Sequence, residues 1–264
     1  MKLRIFVIFH KTLYKDFYEM PMQMLDKYIT FVAVNDKKEK IVPAFATYNT
    51  ILESQLCSDW TNRLQDLQYH ESSVLIHLGK SRILADYTGC LHYDMKITQN
   101  TLMMMQNSIN DLGSKDLGSK DLGSQGILFY FKTHRLDENV ANSFGGGSNG
   151  FDTWQNIIDL YNNTFNTSHL LEQIIHREIP MYHSWILPSK VLRPLAAFVE
   201  RVAPMILKFL GSVRHLPYHL DRLWGIILLL KKLDGEIPIW LPILDIMHSE
   251  ERKEPKFHEM LSLC

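Results

Sequence analysis

His92 and Asp94 are the residues whose types and spacing are best suited to chemistry, and they lie two apart in the segment DYTGCLHYD, residues 86–94. The aromatic and β-forming residues of this segment predict a strand, in which residues two apart project from the same face. Both side chains would then stand at the carboxyl end of the strand, where open α/β sheets bind ligands. A histidine beside a carboxylate can hold a divalent metal, and such a metal can neutralise a diphosphate. The alternative is that His92 packs under the sheet and Asp94 begins a turn.

The elements that would position this pair follow from the hydrophobic pattern. Residues 3–9 predict a buried first strand and residues 29–35 a second, with apolar residues at helical spacing between them. Two parallel strands joined by a helix are typical of the opening of a Rossmann-like fold. A further strand is expected at 126–132, Asp152 is expected to cap a helix, and other helices are expected within 53–78, 188–210 and 220–232. The predicted fold class is α/β, with a mixed, mostly parallel sheet, a helical C-terminal part and an irregular tail after Pro238.

A tandem repeat, DLGSK, DLGSK and DLGSQ, occupies residues 111–125. Each unit is polar and turn-forming, and three such short units are too few for a folded solenoid. We therefore expect a low-complexity surface loop over residues 106–125. No linker divides the chain, so a single domain spanning residues 1–264 is predicted.

Composition and charge exclude several classes of protein. With 46% hydrophobic and 22% charged residues the chain has a globular composition, not a disordered one. The 28 basic and 29 acidic residues leave no basic excess, so no nucleic-acid partner is expected. Cys57, Cys90 and Cys264 form neither a CxxC pair nor a disulfide framework, which favours a reducing compartment. Because no apolar run is long enough for a signal-peptide core or a membrane span, we expect a cytoplasmic protein without a transmembrane segment.

Common enzyme signatures are missing from the sequence. No GxGxxG follows the first strand and no GxxxxGK[ST] occurs, which disfavours dinucleotide dehydrogenases and P-loop NTPases. The patterns HExxH and CxxC are also missing, so the sequence does not favour a zinc enzyme.

Several sequence blocks point to a different class when they are taken in chain order. The blocks are IFVIFHK (5–11), LESQ (52–55), YHESSVLIHLGK (69–80), DYTGCLHYDMKI (86–97) and PYHLDRLWGIILLL (217–230). Together they resemble a glycosyltransferase family that includes bacterial capsule and lipopolysaccharide enzymes and relatives from large DNA viruses. The resemblance implies a GT-A-like fold. It also implies transfer of a sugar from a UDP- or GDP-sugar donor to a glycan or glycoconjugate acceptor.

One departure from the family pattern bears on the metal. Many bacterial members carry two arginines where this sequence has Asp94 and Met95. An arginine pair can neutralise a diphosphate without a metal, whereas an aspartate cannot. The HYDM form is similar to that of the viral relatives, which implies a metal-using branch with Mn2+ or Mg2+ held by His92 and Asp94. For a viral protein the expected location is the host cytoplasm.

The resemblance also distributes roles along the chain. The residues for which it implies catalytic roles are Asp94, Arg222 and Asp152. The residues for which it implies donor binding are His10, Lys11, Asp36, Glu71, His92, Tyr93 and His219. Arg222 would face the leaving diphosphate, because Asp221-Arg222-Leu223 matches the family's Glu-Arg-Leu helix. Simpler structural roles stay open for four of these residues. Asp36 could lie in a solvated turn, Glu71 could cap a helix, His219 could be a structural histidine, and Arg222 could extend along an apolar helical face.

Two other functions stay open at this point. One is a catalytically inactive glycan-binding or assembly module with the same fold, and the other is a different nucleotide-utilising transferase, such as a nucleotidyltransferase. The sequence does not decide the sugar, the base, the acceptor, or whether the anomeric configuration is inverted or retained.

Overall fold

The computed structural model describes residues 1–9, 18, 20–34, 49–115, 126–137, 150–210 and 213–248. His10, Lys11 and Asp36 lie outside the described residues. Asp152 belongs to a helix, but its side chain is also outside the described part.

The strands of the described chain form one large sheet and one small one. In chain order they are β1 (Leu3–Phe9), β2 (Ile29–Ala33), β3 (Thr50–Leu52), β4 (Tyr87–His92), β5 (Met95–Lys96), β6 (Ile127–Arg135), β7 (Glu178–Pro188), β8 (Ile239–Pro242) and β9 (Met247–His248). The large sheet has seven strands in the order β3-β2-β1-β4-β7-β6-β8. β7 runs antiparallel to both of its neighbours, and the other pairs are parallel. This is the mixed, mostly parallel α/β sheet that the sequence predicts.

The helices cover both faces of the large sheet. They are α1 (Met22–Tyr28), α2 (Arg63–Asp66), α3 (Glu71–Lys80), α4 (Gln99–Lys115), α5 (Gly150–Phe165), α6 (Ser189–Leu210) and α7 (Leu216–Leu233), with single 3-10 turns at Glu53–Gln55, Leu171–Gln173 and Val213–His215. None of the described helices combines the length and apolar character that a membrane span requires.

β1 shows how the sequence specifies the middle of this sheet. Its continuous apolar run is typical of a strand that is covered on both faces. Phe6 and Ile8 pack into the core cluster that contains residues of α3, α5, α6 and α7. Ile5 and Val7 pack into the opposite cluster, which contains residues of α1 and α4. The molecule is therefore layered, with helices on both sides of a buried sheet.

α7 lies unusually close to β7 because Gly225 has no side chain. A Cβ atom at this position would lie 2.5 Å from the carbonyl oxygen of Pro180 in β7. Such a distance is too short for any real side chain, so glycine permits direct contact between helix and strand backbone. The first turns of α7, with Asp221 and Arg222, are thereby held near the middle of β7, and both residues line the same cavity as His92 of β4.

The structure corrects three predictions about element boundaries. The loop expected over 106–125 begins later, because Leu102, Met105 and Ile109 are buried at helical spacing and α4 continues to Lys115. Residues 116–125 lie outside the described part of the chain. Asp152 is not a helix cap, because α5 already begins at Gly150. The tail after Pro238 is not irregular over its described residues, 239–248, since β8 pairs with β6, and β9 pairs with β5.

A further difference concerns residues 178–188. No strand is predicted over Glu178–Pro188, yet β7 is the longest strand of the large sheet, with 11 residues. Its apolar alternation is interrupted by a β-bulge, which hides the period of two that identifies strands. For residues 188–210 the sequence allows one long helix or a pair broken near Pro204, and the structure has the single helix α6, which includes both Pro194 and Pro204.

Candidate functional site

A cavity of about 610 Å³ opens where β4 ends, between the start of α3, the middle of β7 and the first turns of α7. Its volume suits a small organic ligand. The polar side chains that line it are His70, Glu71, His92, His134, His183, Arg214, Asp221 and Arg222, and the remaining lining residues are Met181, Tyr182, Pro217 and Tyr218.

A row of histidines and carboxylates runs from the cavity to the small sheet. His92 Nε2 lies 3.0 Å from Glu71 Oε1, and His92 Nδ1 lies 3.2 Å from Asp94 Oδ1. The second oxygen of Asp94, Oδ2, lies 3.2 Å from His248 Nε2. We call these four residues the histidine–carboxylate row. His92 and Asp94 lie side by side, but β4 ends at His92 and Asp94 lies in the turn that follows, so the two are not residues of one strand as predicted.

The electrostatics of the row favour charged side chains. Burial disfavours the imidazolium form of His92, but the Glu71 charge and the hydrogen bonds to Asp94 and Glu71 outweigh it and raise the pKa of His92 to about 10. Burial also disfavours the carboxylate of Asp94, yet hydrogen bonds from His248 and His92 hold the pKa of Asp94 well below its ordinary value. At neutral pH, His92 is therefore a cation that lies between two carboxylates.

The contacts within the histidine–carboxylate row involve the same atoms of His92 and Asp94 that would bind the expected metal ion. Both ring nitrogens of His92 face carboxylates, and both oxygens of Asp94 face imidazoles. An imidazolium has no lone pair to donate to a cation. Within the described ranges, no group of three or more His, Cys, Asp or Glu side chains is placed to hold a metal ion. In this arrangement His92 and Asp94 are engaged with each other, with Glu71 and with His248, and metal binding by His92 and Asp94 stays a prediction.

His248 is a member of the row that the sequence analysis missed. It lies in β9, which pairs antiparallel with β5 so that His248 stands opposite Met95, the residue after Asp94. The pairing brings together residues that are far apart in sequence. A two-residue strand carries no periodic signal, so the only trace of this contact in the sequence is a histidine in a short tail.

A β-bulge in β7 projects into the cavity. Tyr130 of β6 is opposite Trp185, and Lys132 is opposite Met181. Between these two pairs β6 advances by two residues and β7 by four, so β7 bulges. Tyr182 and His183 lie in the bulge and have φ angles of 68° and 47°. Positive φ is uncommon and costly for residues with bulky side chains, and such strain concentrates at functional sites.

Asp221 of α7 holds this bulge in place. Its Oδ2 accepts the backbone N–H of Tyr182 at 3.0 Å, and its Oδ1 accepts that of His183 at 2.9 Å. Hydrogen bonds to a charged acceptor are among the stronger ones in proteins. Asp221 therefore offsets the strain of the bulge and fixes the position of the Tyr182 and His183 side chains.

His183 belongs to a second, buried set of hydrogen bonds. Its Nε2 lies 2.7 Å from Ser72 Oγ and its Nδ1 lies 3.3 Å from Asp221 Oδ1. Burial lowers the pKa of His183 despite the opposing charges of Asp221 and Glu71, so the neutral ring donates from Nδ1 and accepts at Nε2. The order Ser–His–Asp resembles a nucleophilic triad. Ser72 is nevertheless fully buried and accepts a hydrogen bond from Trp224 Nε1 at 3.2 Å, so this set supports the cavity wall.

Two arginines also line the cavity. Arg222, which the sequence analysis singled out, lines the cavity while most of its side chain is buried, and its Nη1 donates to the carbonyl oxygen of Tyr218 at 2.6 Å. Burial lowers the pKa of Arg222, with Asp221 opposing the shift, and a guanidinium remains charged in proteins. Arg214, in the 3-10 turn before α7, lines the same cavity and was not predicted.

Two predicted donor-binding residues lie elsewhere. Tyr93 is buried in the core cluster that contains α1 and α4 residues, because adjacent residues of an extended chain point to opposite sides. His219 is buried in α7, where its ring stacks on Trp154 of α5 with the centroids 6.3 Å apart. Neither side chain is among those that line the cavity.

Comparison with known proteins supports the fold. No family model matches the sequence, and no curated protein matches it. A solved structure that does match is the apo form of the bifunctional glycosyltransferase WbbM, with a TM-score of 0.59 and 11% identity. The match covers 97% of this chain and 48% of that one, so the chain spans about half the length of that protein. At this identity, the likeness concerns the fold alone.

Proposed function

We propose that the protein transfers a glycosyl group from a nucleotide-sugar donor to a hydroxyl group of a glycan or glycoconjugate acceptor. The observation that carries the proposal is the cavity at the end of β4, which is lined by Arg214 and Arg222 and also by the carboxylate of Glu71. The fold, which resembles that of a bifunctional glycosyltransferase, supports it.

Arg222 and Arg214 are the groups suited to the diphosphate of the donor. When the glycosidic bond breaks, negative charge grows on the leaving diphosphate oxygen. Preorganised cations in a partly buried site stabilise such charge without reorganisation of solvent. Because Arg222 is held by the Tyr218 carbonyl, its guanidinium is already ordered before a ligand arrives.

Glu71 is the group suited to the acceptor. It begins α3 and lines the cavity, and its Oε1 contacts His92. In the proposed step, an acceptor oxygen forms a bond to the anomeric carbon, the bond from that carbon to the diphosphate oxygen breaks, and the hydroxyl proton passes to Glu71.

The test of this function is binding and turnover of nucleotide sugars by the full chain. UDP, GDP and their glucose, galactose and mannose conjugates would be titrated by calorimetry, with Mn2+ and with EDTA. Release of UDP or GDP would then be followed by chromatography. We expect one of the two nucleotides to bind and its sugar conjugate to be hydrolysed slowly with water as the acceptor. Arg201→Ala, on the exposed side of α6, is the matched control for Arg222→Ala.

The same experiment separates the alternatives. Binding of glycans without release of nucleotide would indicate an inactive module, and release of pyrophosphate from a nucleoside triphosphate would indicate a nucleotidyltransferase. Failure of both UDP and GDP to bind would contradict the proposed function. Mn2+-dependent affinity that is lost in Asp94→Asn would support metal binding by Asp94, and equal affinity in EDTA would contradict it.

A further inference from the structure

We propose that Tyr182 is a stacking platform for the acceptor sugar at the mouth of the cavity. This inference rests on the proposed function, and it adds a subsite with a defined ligand class: the apolar face of a pyranose ring.

Tyr182 is presented by the β-bulge. In a regular strand it would alternate with its neighbours, whereas here its positive φ turns the side chain toward the cavity that it lines. Bulges next to functional sites commonly re-aim a side chain in this way. The backbone of Tyr182 is fixed by Asp221 and by Ser184, whose Oγ donates to the Tyr182 carbonyl at 2.9 Å. A strained and doubly anchored backbone is a costly way to present an ordinary surface residue.

The Tyr182 ring is held by other aromatic rings and still reaches solvent. Its centroid lies 6.1 Å from Phe131, 5.8 Å from His134 and 6.1 Å from His248. Nevertheless 37% of the residue is exposed. An ordered, partly exposed aromatic ring offers contact area at low cost in conformational entropy. The electron-rich face of such a ring attracts the polarised C–H groups on the apolar face of a pyranose.

The position of Tyr182 favours the acceptor over the donor base. Its neighbour His248 belongs to the histidine–carboxylate row, which reaches Glu71 at the cavity. Glu71 is the proposed base, so the sugar that receives the glycosyl group must bring its hydroxyl to the row that the Tyr182 ring contacts.

The test uses methyl β-D-glucopyranoside and methyl β-D-galactopyranoside as probes for the full chain. Saturation-transfer NMR reports which ring protons contact the protein, and a titration gives the dissociation constant. We expect transfer to the C–H protons of at least one glycoside. For Tyr182→Ala we expect about tenfold weaker binding, equal to about 1.4 kcal/mol. Tyr182→Phe keeps the ring and should bind normally. Leu233→Ala removes a residue of equal exposure, 37%, at the end of α7 and serves as the control.

The outcomes distinguish this subsite from the proposed function. Equal binding by the wild type and Tyr182→Ala, or no transfer to either glycoside from the wild type, overturns the platform. A Tyr182→Ala variant that loses affinity for UDP or GDP but not for the glycosides also overturns it, because the ring would then contact the base. If glycosides bind through Tyr182 while UDP and GDP do not bind, the platform stands and the donor assignment fails. Should Tyr182→Ala melt earlier than the wild type, Tyr182→Leu replaces it, since leucine keeps apolar volume without an aromatic face.

Discussion

His92 donates from its two ring nitrogens to Glu71 and Asp94, at 3.0 and 3.2 Å, so a single imidazolium joins the start of α3 to the end of β4. The contact links a residue that lines the cavity to a strand in the middle of the sheet. Protonation of one ring therefore affects both the stability of the fold and the charge presented to a ligand.

Stability should fall as the pH rises across the titration of His92. The pKa of His92 is raised from 6.5 to about 10 in the folded protein, so the folded state binds the proton more tightly than the unfolded state. The stabilisation is complete below pH 6.5 and is lost as the pH rises through about 10. Melting temperatures measured across this range should decline, and His92→Gln should flatten the decline. An unchanged slope in His92→Gln would show that the loss arises elsewhere.

Asp221→Ala should destabilise the protein strongly. The variant leaves the backbone N–H groups of Tyr182 and His183 without their carboxylate acceptor in a strained bulge. We expect a loss of roughly 3 kcal/mol in the free energy of unfolding, measured by urea denaturation. Asp59→Ala, at an exposed aspartate, should change it by less than about 0.5 kcal/mol. Equal stability of the two variants would mean that the bulge does not depend on Asp221.

Arg222→Ala should reduce turnover of the nucleotide sugar by about a hundredfold, because one preorganised cation is removed from the leaving group. Arg222→Lys should recover only part of the loss, since an ammonium lacks the two-pronged geometry of a guanidinium. Turnover would be measured per folded molecule, alongside the melting temperature of the ligand-free variants. A variant that melts several degrees lower but turns over normally would assign Arg222 a structural role.

Glu71→Gln should lower turnover by roughly a hundredfold or more while leaving the fold intact, since the amide keeps the shape of the side chain but is a poor proton acceptor. The same substitution removes one of the two charges that raise the pKa of His92. NMR titration of the His92 ring should therefore show a lower pKa than in the wild type. Normal turnover together with a lowered pKa of His92 would contradict the role of Glu71 as the base.

The sequence predicted those parts of the molecule that depend on local pattern. The bounds of β1 agree with those predicted from its apolar and β-branched residues, and the contact of His92 with Asp94 was expected because the two residues are close in sequence. Arg222 was found through a resemblance of short blocks, and the structure places it in the cavity wall.

The parts that the sequence did not predict depend on contacts between distant segments. Asp221 acts on backbone groups that lie 38 and 39 residues away, and nothing in the local sequence of α7 indicates such a role. β7 was missed because its bulge interrupts the alternation of apolar residues. His248 reaches Asp94 only through a two-residue strand, so its place in the row follows from tertiary pairing.

The contact of Gly225 with Pro180 limits how the cavity can change. Because the helix and strand backbones already touch, α7 cannot move closer to β7, and any side chain at position 225 would push it away. Asp221 and Arg222, one turn earlier in α7, would move away with the helix. Asp221 would then lose its hydrogen bonds to the backbone of Tyr182 and His183 in the bulge. We therefore expect that a cavity for a ligand of different size would arise by substitution of lining residues such as Met181 and Tyr218, while the distance between α7 and β7 stays constant.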